Sequence, residues 1–365
     1  MDRPLFARIP GTRSCAWEAV ATLPTPVREA PALAAAAGAG GLWVKRDDLA
    51  GGSYGGNKVR KLEFLLGEAR AAGASDLVTF GAAGSNHALA TAIYGSAAGV
   101  RVHSMLLPQY NARYVRRNLL ASLAAGADLH HYPDRGHMMR GTVRLLRRLE
   151  ADGRVPFVIP FGGTTPTSTM GFVNAGFELA AQVEAGVLPE PDLVFCALGS
   201  MGTAAGLAIG MRLAGMRSRL VAVPILSYTL SNADALLRAI VAAQEALESV
   251  DGDVPRLAWT EADFDVLPGF LGEDYALFTP EGMEAIRLAR EYAGISLDGT
   301  YTGKALAGLL ARGRAGALAG KRVLFWNTYN SRDIDVSETA ARALSVPARL
   351  RHYFEDDVQE LDRDV

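Results

Sequence analysis

A lysine directly follows a glycine-rich turn in the first quarter of the sequence. Lys58 comes after GGSYGGN at 51–57, and Asn57 is a good cap for a helix that begins there. In the first turn of a helix, the positive helix end lowers the pKa of a lysine and favours a nucleophilic amine, and Arg60 and Lys61 would add to this effect. The alternative interpretation is that all three cations form a solvated face. The helix should have one apolar stripe, formed by Val59, Leu62, Leu65, Leu66 and Ala69.

Two further turns each follow a predicted strand and open a predicted helix. In TFGAAGSNH at 79–87, Ser85 and Asn86 stand where open α/β sheets bind ligands, although both residues could simply cap the helix. His87 is either a proton shuttle or a polar residue of the first helical turn. In the second turn, Gly199–Thr203, backbone N–H groups and hydroxyls at a helix start form a cradle for a phosphate.

These three segments together provide an amine, a hydroxyl on a second loop and a phosphate cradle that has no lysine of its own. Those are the parts that pyridoxal phosphate requires. The turn at 199–203 matches neither GxxxxGK[ST] nor GxGxxG, which argues against a P-loop NTPase and a dinucleotide fold. A nucleotide-binding α/β protein, which would use Gly199–Thr203 for a nucleotide phosphate and leave Lys58 in solvent, is the competing hypothesis.

The composition excludes several other classes of protein. With 365 residues, 49% of them hydrophobic and 21% charged, the chain can bury a large core. A net charge of −2 provides no basic excess, so nucleic acid is not an expected partner. No apolar run reaches the roughly 18 residues of a membrane span, and we expect a cytoplasmic protein without a membrane partner. The cysteines, Cys15 and Cys196, form no CxxC pair and predict neither a disulfide nor a metal site.

Strand-like and helix-like segments alternate from residue 76 onward, which is typical of an α/β protein with open parallel sheets and flanking helices. Ala34–Gly41 is interpreted as a helix end before a strand rather than a linker, and the acidic tail beyond Arg342 is expected to be solvated. The predicted strands are Leu77–Phe80, Val100–Leu107, Ala127–Tyr132, Pro156–Pro160, Asp192–Ala197, Leu220–Ile225 and Val323–Trp326. The predicted helices are Asn86–Ala98, Tyr110–Ala124, Gly141–Ala151, one beginning at Gly202, and Asp234–Ser249.

The segment GGNKVRKLEFL at 55–65, with KRDDL before it and GSNHA after it, resembles the D-cysteine desulfhydrase and 1-aminocyclopropane-1-carboxylate deaminase family. Four later segments resemble the same family, at 162–179, 199–203, 272–289 and 297–309. The resemblance implies the tryptophan-synthase-β-like, type II fold of pyridoxal-phosphate enzymes and a homodimer. It also implies a large cofactor-binding domain of residues 1–52 and 162–365, and a smaller inserted α/β domain of residues 53–161.

The resemblance assigns a role to each matching residue. Lys58 corresponds to the Schiff-base lysine and Asn86 to the partner of the cofactor's phenolic oxygen. Ser85 corresponds to the family's active-site serine, which lies near the substrate carboxylate or acts in proton transfer or as a nucleophile, while Tyr275 and Tyr301 approach the substrate. The remaining implied cofactor contacts are Gly199, Ser200, Met201, Gly202 and Thr203 for the phosphate, and Thr302 and Thr328 for the pyridine nitrogen. The predicted substrate-binding residues are Ser85, Asn86, His87, Tyr275, Tyr301 and Tyr329, of which Tyr329 is predicted from its departure from the family pattern and His87 from its position in the first turn of the helix.

Three positions depart from the family pattern. Gly84 replaces the usual glutamine before Ser-Asn, and Met201 stands where a glycine is common. The third departure is Asn327-Thr328-Tyr329-Asn330 in place of His-Thr-Gly-Gly. We expect Tyr329 and Asn330 to direct side chains toward the substrate, so that the substrate differs from those of the named family members.

The resemblance favours a lyase or deaminase that acts on a small amino acid. Lys58 would remove the proton from Cα, and loss of a β leaving group would give a 2-oxo acid and ammonia. A tyrosinate at Tyr275 or Tyr301 could be the base only if cationic neighbours lowered its pKa from about 10, and ring opening would use the tyrosines and Ser85. β-Replacement or racemisation on the same cofactor, and a sensing or structural protein that binds the cofactor without turnover, are the alternatives.

Overall fold

The computed structural model describes residues 3–334, 336 and 345–363. The chain forms two compact units. The first unit comprises Met1–Cys15, Ala21–Phe64 and Thr164–Arg332, and the second comprises Ala16–Val20, Leu65–Gly163 and Asp333–Val365. Each unit contains its own sheet with helices around it, which confirms the predicted α/β class.

The strands pair almost entirely in parallel. The first unit contains a six-stranded sheet of order β1-β2-β10-β7-β8-β9, in which only the β1–β2 pair is antiparallel, and the second contains a parallel sheet of order β5-β4-β3-β6. The strands are β1 (Val27–Glu29), β2 (Gly41–Lys45), β3 (Asp76–Ala82), β4 (Arg101–Leu107), β5 (Asp128–His131), β6 (Pro156–Ile159), β7 (Leu193–Leu198), β8 (Arg219–Pro224), β9 (Asp265–Val266) and β10 (Arg322–Trp326).

The α-helices of the described residues follow the predicted alternation. They are α1 (Pro4–Arg8), α2 (Pro31–Ala36), α3 (Lys58–Ala71), α4 (Asn86–Ala97), α5 (Arg113–Ala124), α6 (Arg135–Ala151), α7 (Pro166–Glu184), α8 (Gly202–Leu213), α9 (Ala233–Val250), α10 (Pro280–Ala293), α11 (Thr302–Arg314) and α12 (His352–Glu355). The segment at 34–41 is a helix end before a strand, as predicted, with Gly38 at φ +60°. Within these described residues, no helix combines the length and apolar character needed to cross a bilayer.

Helix α6 begins six residues before its predicted start at Gly141. Asp134 caps it, because its side chain accepts a hydrogen bond of 2.8 Å from the backbone N–H of His137. The basic, exposed first turn carries too few apolar residues to reveal a helix by periodicity.

The core of the first unit fills the space between the sheet and α11. Phe195, Val221 and Phe325 on the strands and Leu306 and Leu309 on α11 are fully buried in one apolar cluster. Cys196, also fully buried in β7, behaves as the small apolar residue that its strand position predicted.

Helices α7 and α8 approach each other so closely that their contact requires glycine. A Cβ on Gly176 would lie 2.7 Å from the backbone carbon of Gly210, and one on Gly206 would lie 2.4 Å from the Cβ of Phe172. The position of α8, and of the turn that precedes it, is therefore fixed by backbone contact with α7.

The described part of the tail packs on the second unit, so the expectation that it is solvated is wrong for several residues. Leu350 and Tyr353 are fully buried, and the hydroxyl of Tyr353 accepts a 3.0 Å hydrogen bond from the backbone N–H of Gln109. The acidic residues around them dominate the local composition, but the segment is anchored by these buried side chains and by hydrogen bonds such as that from the side-chain amide of Asn111 to the carbonyl of Tyr353 (3.0 Å).

Candidate active site

Two glycines allow the chain to turn directly before Lys58. Gly56 has φ +88°, and a Cβ there would lie 2.8 Å from the carbonyl oxygen of Thr328. A Cβ on Gly55 would lie 1.9 Å from the carbonyl oxygen of Asp48. Any larger residue would separate these backbone segments, so the glycine pair sets the position at which α3 and Lys58 begin.

Asn57 connects the start of α3 to two other parts of the first unit. Its backbone N–H donates to the carbonyl of Thr328 (3.1 Å), and its side-chain amide donates to the hydroxyl of Thr203 (3.0 Å). Asn57 therefore stands at the predicted cap position, but its amide binds the first turn of α8. These bonds bring the Lys58 turn, the turn at 199–203 and the segment at 327–330 together.

The amine of Lys58 is the nucleophile candidate of this group. Lys58 is half-buried, and burial lowers its pKa to about 8, while the carboxylate of Asp298 acts in the opposite direction. The predicted lowering is present, but burial causes it. Arg60 and Lys61 are fully buried, so the alternative of a solvated cationic face is wrong for them.

Arg60 belongs to a buried ion network that anchors α3. Its guanidinium donates to Asp47 (2.7 and 2.9 Å) and to Glu178 on α7 (3.0 Å). Lys45 on β2 donates to the same Glu178 carboxylate at 2.5 Å, which helps hold the pKa of Glu178 at about 2. Because the charges are mutually satisfied, the network fixes the orientation of the first turn of α3 without leaving a bare buried charge.

Lys61 supplies an amine to the turn at 199–203, which was expected to have no lysine. Its Nζ donates to the hydroxyl of Thr164 (2.7 Å) and lies 3.4 Å from the hydroxyl of Ser200, to which Thr164 also donates (2.8 Å). A Cβ on Gly202 would lie 3.0 Å from this Nζ. Burial, and then the charge of Lys58, hold the pKa of Lys61 well below its ordinary value. An anion at this turn would stabilise the protonated amine.

Lys61 was not predicted at this turn because the lysine of a P-loop follows its own turn, whereas Lys61 lies on a helix more than 100 residues earlier in the chain. The available signal was the spacing to Lys58. Residues three apart on a helix lie on the same face, so a second amine one turn beyond the first could have been placed beside it.

Met201 adopts the backbone conformation that glycine normally takes. It has φ +63° and directly precedes α8, whose first residue is Gly202. Met201 therefore takes a positive φ at the position where the family commonly has glycine, so the departure does not remove the positive φ that glycine favours. A phosphate fits this turn chemically, since helix N–H groups, the hydroxyls of Ser200 and Thr203 and the amine of Lys61 converge there.

Tyr275 and Tyr301 form the pair that the resemblance implies. Their hydroxyls lie 2.5 Å apart and their rings meet edge to face at 76°. Burial raises the pKa of Tyr275 to about 12. No cationic group contributes to this shift, so the condition set for a tyrosinate base is not met at Tyr275, and the raised pKa favours the protonated hydroxyl.

Asp298 organises the backbone next to Tyr301. Its carboxylate accepts hydrogen bonds from the backbone N–H groups of Thr300 (2.9 Å) and Tyr301, and burial raises its pKa to about 6. The hydroxyl of Thr302 accepts the backbone N–H of Asp298 (2.9 Å) and so faces this turn. In the described part of the chain no group hydrogen-bonds to the hydroxyl of Thr328, which makes Thr328 the better of the two threonine candidates for a ligand nitrogen.

The segment Asn327-Thr328-Tyr329-Asn330 corrects one expectation. The side chain of Asn330 accepts hydrogen bonds from the backbone N–H groups of Gly55 (2.6 Å) and Arg332 (3.0 Å), so it secures the glycine turn and does not point toward a substrate. Asn327 accepts from the N–H of Tyr329 (3.2 Å) and donates to the carbonyl of Ser296 (3.3 Å). Tyr329 is buried.

The remaining candidates lie in the second unit. Ser85 caps α4 by accepting the N–H of Ala88 (3.2 Å), and Asn118 donates to the side-chain oxygen of Asn86 (3.0 Å). The amide of Asn86 is thus oriented by Asn118. His87 is buried, and Gly163 lies so close to it that a Cβ there would meet the ring at 2.6 Å.

Packing also explains the glycine that replaces glutamine before Ser-Asn. A Cβ on Gly84 would lie 2.8 Å from the ring of Tyr114 and from a methyl group of Val115. The side chain of Gln109 accepts the N–H of Gly84 (2.7 Å), so a glutamine from a neighbouring segment contacts this position.

Comparison with known proteins gives a consistent assignment. Residues 20–328 match the family described as pyridoxal-phosphate dependent enzyme. The chain is 33% identical to a Pyrococcus furiosus protein provisionally named 1-aminocyclopropane-1-carboxylate deaminase, over 89% of this chain and 93% of that one. It is 32% identical to the D-cysteine desulfhydrase of Klebsiella pneumoniae (79% and 85%) and 36% identical to the nocardicin C-9′ epimerase of Nocardia uniformis (80% and 86%).

Solved structures agree with the sequence comparison. The crystal structure of an ACC deaminase homologue superposes with a TM-score of 0.77 at 29% identity, covering 94% of this chain and all of that one. An L-serine ammonia-lyase from Rhizomucor miehei, at 16% identity, shares the fold with a TM-score of 0.61. Turn geometry, the two amines of α3 and these similarities lead to one conclusion: the chain belongs to the pyridoxal-phosphate dependent enzymes of fold type II.

Proposed function

We propose that this enzyme is a lyase or deaminase that removes the Cα proton of a small amino acid and expels a group from Cβ, giving a 2-oxo acid and ammonia. The observation that carries the proposal is the first turn of α3, which presents Lys58 and, three residues later, Lys61 beside the turn at 199–203. The relatives named as a deaminase and a desulfhydrase support this reaction class.

The residues of the first unit fit the cofactor. Lys58 would hold its aldehyde carbon covalently, while Lys61, Ser200 and Thr203 at the start of α8 would hold its phosphate. Thr328 is the proposed partner of the pyridine nitrogen, and a neutral hydroxyl there would leave that nitrogen largely unprotonated. When bound, pyridoxal phosphate supplies an electron sink that acidifies the Cα–H bond of an attached amino acid.

Lys58 and the tyrosine pair are the proposed acid–base groups. Because burial lowers the pKa of Lys58 to about 8, part of the amine population is unprotonated at neutral pH and can accept the Cα proton. Tyr275 keeps its proton, so it can donate to a leaving group or to a distal carbon, with Tyr301 as its hydrogen-bond partner. Tyr329 is the proposed further substrate contact of this unit.

The turn at 84–88 supplies the other proposed contacts. Ser85 and His87 are assigned to the substrate carboxylate, and Asn86, whose orientation Asn118 fixes, to the phenolic oxygen of the cofactor. The first unit would serve as the large cofactor-binding domain, and it also includes residues 53–64, which were predicted in the smaller domain. The second unit would serve as the smaller inserted domain, and it also includes residues 333–365. A cytoplasmic homodimer completes the proposal, and sedimentation equilibrium of the purified protein tests the dimer.

An epimerase or racemase is the second candidate, favoured by the similarity to nocardicin C-9′ epimerase. Such an enzyme also removes the Cα proton but returns one to the opposite face and expels nothing. The tyrosine pair would then be the second proton donor.

A single preparation distinguishes these reactions. The holoenzyme is incubated in D₂O with D- and L-cysteine and with β-chloro-D- and -L-alanine, and ammonia, 2-oxo acid and solvent deuterium at Cα are measured. We expect ammonia and 2-oxo acid in equal amounts from at least one of these four compounds. 1-Aminocyclopropane-1-carboxylate has no Cα–H bond, so ammonia and 2-oxo acid from this compound alone would indicate ring opening instead. Deuterium in both enantiomers without ammonia would establish racemisation instead.

Borohydride reduction followed by peptide mapping tests the site. The label should lie on Lys58, and Lys58→Ala should abolish it, whereas Lys321→Ala, which removes an exposed lysine, should not. A label on any other lysine would contradict the assignment of Lys58.

A further inference from the structure

Lys304 is a fully buried lysine in the first turn of α11. Both features are unfavourable, because burial removes the amine from water and the helix start repels a positive charge. Burial lowers the pKa of Lys304 to about 8, although the carboxylates of Asp298 and Asp274 act against this. No carboxylate of the described residues lies within 4 Å of its Nζ. An apolar side chain would fill this space at a lower cost in free energy, which indicates a role for the amine itself.

The amine of Lys304 forms a hydrogen bond with a backbone carbonyl. Its Nζ donates a 2.6 Å hydrogen bond to the carbonyl oxygen of Leu271. Leu271 begins the tyrosine segment, defined as residues 271–276, which carries Tyr275 and contains neither helix nor strand. Ala276 in this segment has φ +63°, a conformation that non-glycine residues keep only when their surroundings impose it.

The other tyrosine of the pair is held by a different charged side chain. Asp298 accepts the backbone N–H of Tyr301, and Tyr301 directly precedes α11. A carboxylate thus fixes the backbone of one tyrosine, while an amine two residues into the helix fixes the segment of the other. Their hydroxyls meet at 2.5 Å.

We propose that Lys304 is a positioning residue for the Tyr275–Tyr301 pair, because its hydrogen bond to Leu271 holds the tyrosine segment where the two hydroxyls meet. Lys304 acts through Tyr275 and takes no proton from the substrate. The inference rests on the proposed function, in which this pair donates a proton.

The first test measures hydrogen exchange of the full-length, cofactor-free protein by mass spectrometry. Lys304→Met, which retains the length of the side chain but has no donor, should accelerate exchange in peptides covering 271–276 at least about tenfold, with α7 and α8 unchanged. Lys304→Gln is nearly the same size as Met and keeps one N–H donor, so it should retain most of the protection. It also provides the comparison if the Met variant folds poorly.

Lys45→Met is the matched control for loss of a buried amine. Lys45 is also fully buried, but it binds Glu178 and the carbonyl of Thr25. We expect this variant to lower the unfolding temperature without changing exchange at 271–276. Unchanged exchange there in Lys304→Met, or equal acceleration in Lys45→Met, overturns the proposal.

The second test is a double-mutant cycle on the holoenzyme. Lys304→Met should lower kcat by about tenfold or more, with a smaller change in KM, and should add little to the loss already caused by Tyr275→Phe. If Lys304→Met lowers kcat by the same factor in the original protein and in the Tyr275→Phe variant, Lys304 does not act through Tyr275. If the holoenzyme lacks lyase activity altogether, the proposed function fails, but exchange in the cofactor-free protein still decides the role of Lys304.

Discussion

The two amines of α3 are three residues apart and have different tasks. Lys58 is half-buried and has a pKa near 8, which suits a group that must exchange protons and bonds. Lys61 is fully buried among hydroxyls, where an anion would compensate its charge. We therefore expect Lys61, and not Lys58, to bind the phosphate of the cofactor.

Replacing Lys61 by Met should weaken the binding of pyridoxal phosphate about 10- to 100-fold, since a hydrogen bond to a charged group contributes roughly 1.5–3 kcal/mol. Absorbance titration of the cofactor-free protein measures the dissociation constant. Pyridoxal, which has no phosphate, is the control ligand and should bind the variant and the original protein about equally. A similar loss for both ligands would show that Lys61 does not contact the phosphate.

Lys304 should make the stability of the protein depend on pH. Its pKa is about 8 in the folded chain and 10.5 when exposed, so between these values the unfolded state binds more protons than the folded state. The free energy of unfolding of the original protein should therefore rise, relative to Lys304→Met, as the pH increases from 8 toward 10.5. Urea unfolding of both proteins at several pH values measures the difference, and a constant difference would contradict the assignment.

Side-chain identity and spacing predicted much of the site. Lys58 at a helix start, the polar residues after β3 and the turn before α8 all follow from local sequence. The sequence could not predict that Asn330 turns toward Gly55 or that Arg60 and Lys61 are buried, because those directions depend on segments more than 100 residues away. Local charge gave the wrong expectation for Arg60, whose partners are Asp47 and Glu178.

At the scale of elements, the contact between α7 and α8 sets the position of the phosphate turn. Gly176→Ala would place a methyl group against the backbone of Gly210, and such overpacking costs about 1–3 kcal/mol. We expect a lower unfolding temperature together with weaker binding of pyridoxal phosphate. Gly252→Ala is the matched control, since no atom lies within 4 Å of a Cβ at that position. Equal stability of the two variants would refute the close helix contact.

The alternation of strands and helices was predictable, but the smallest elements were not. Strands β1 and β9 have three and two residues, too few for any periodic pattern to show. The long strands are recovered within about two residues, because their apolar runs are buried on both faces. The prediction truncated helix α6 because its first turn is exposed and has few apolar residues, so no helical period shows there.

At the scale of the whole molecule, a substitution in the core of one unit should destabilise that unit more than the other. Tyr353→Ala removes a buried aromatic side chain of the second unit, which typically costs about 3–5 kcal/mol. Hydrogen exchange should accelerate in β4, α5 and β5 more than in β7 and β8. Tyr353→Phe, which keeps the ring and loses only the bond to Gln109, should cost about 1 kcal/mol. Uniform acceleration across both sheets would contradict this prediction.

The contact between Tyr353 and Gln109 joins residues 244 positions apart in the chain. During synthesis, Gln109 leaves the ribosome long before Tyr353 exists. The surface of the second unit that contacts Leu350 and Tyr353 therefore stays exposed until translation has passed through the remainder of the first unit.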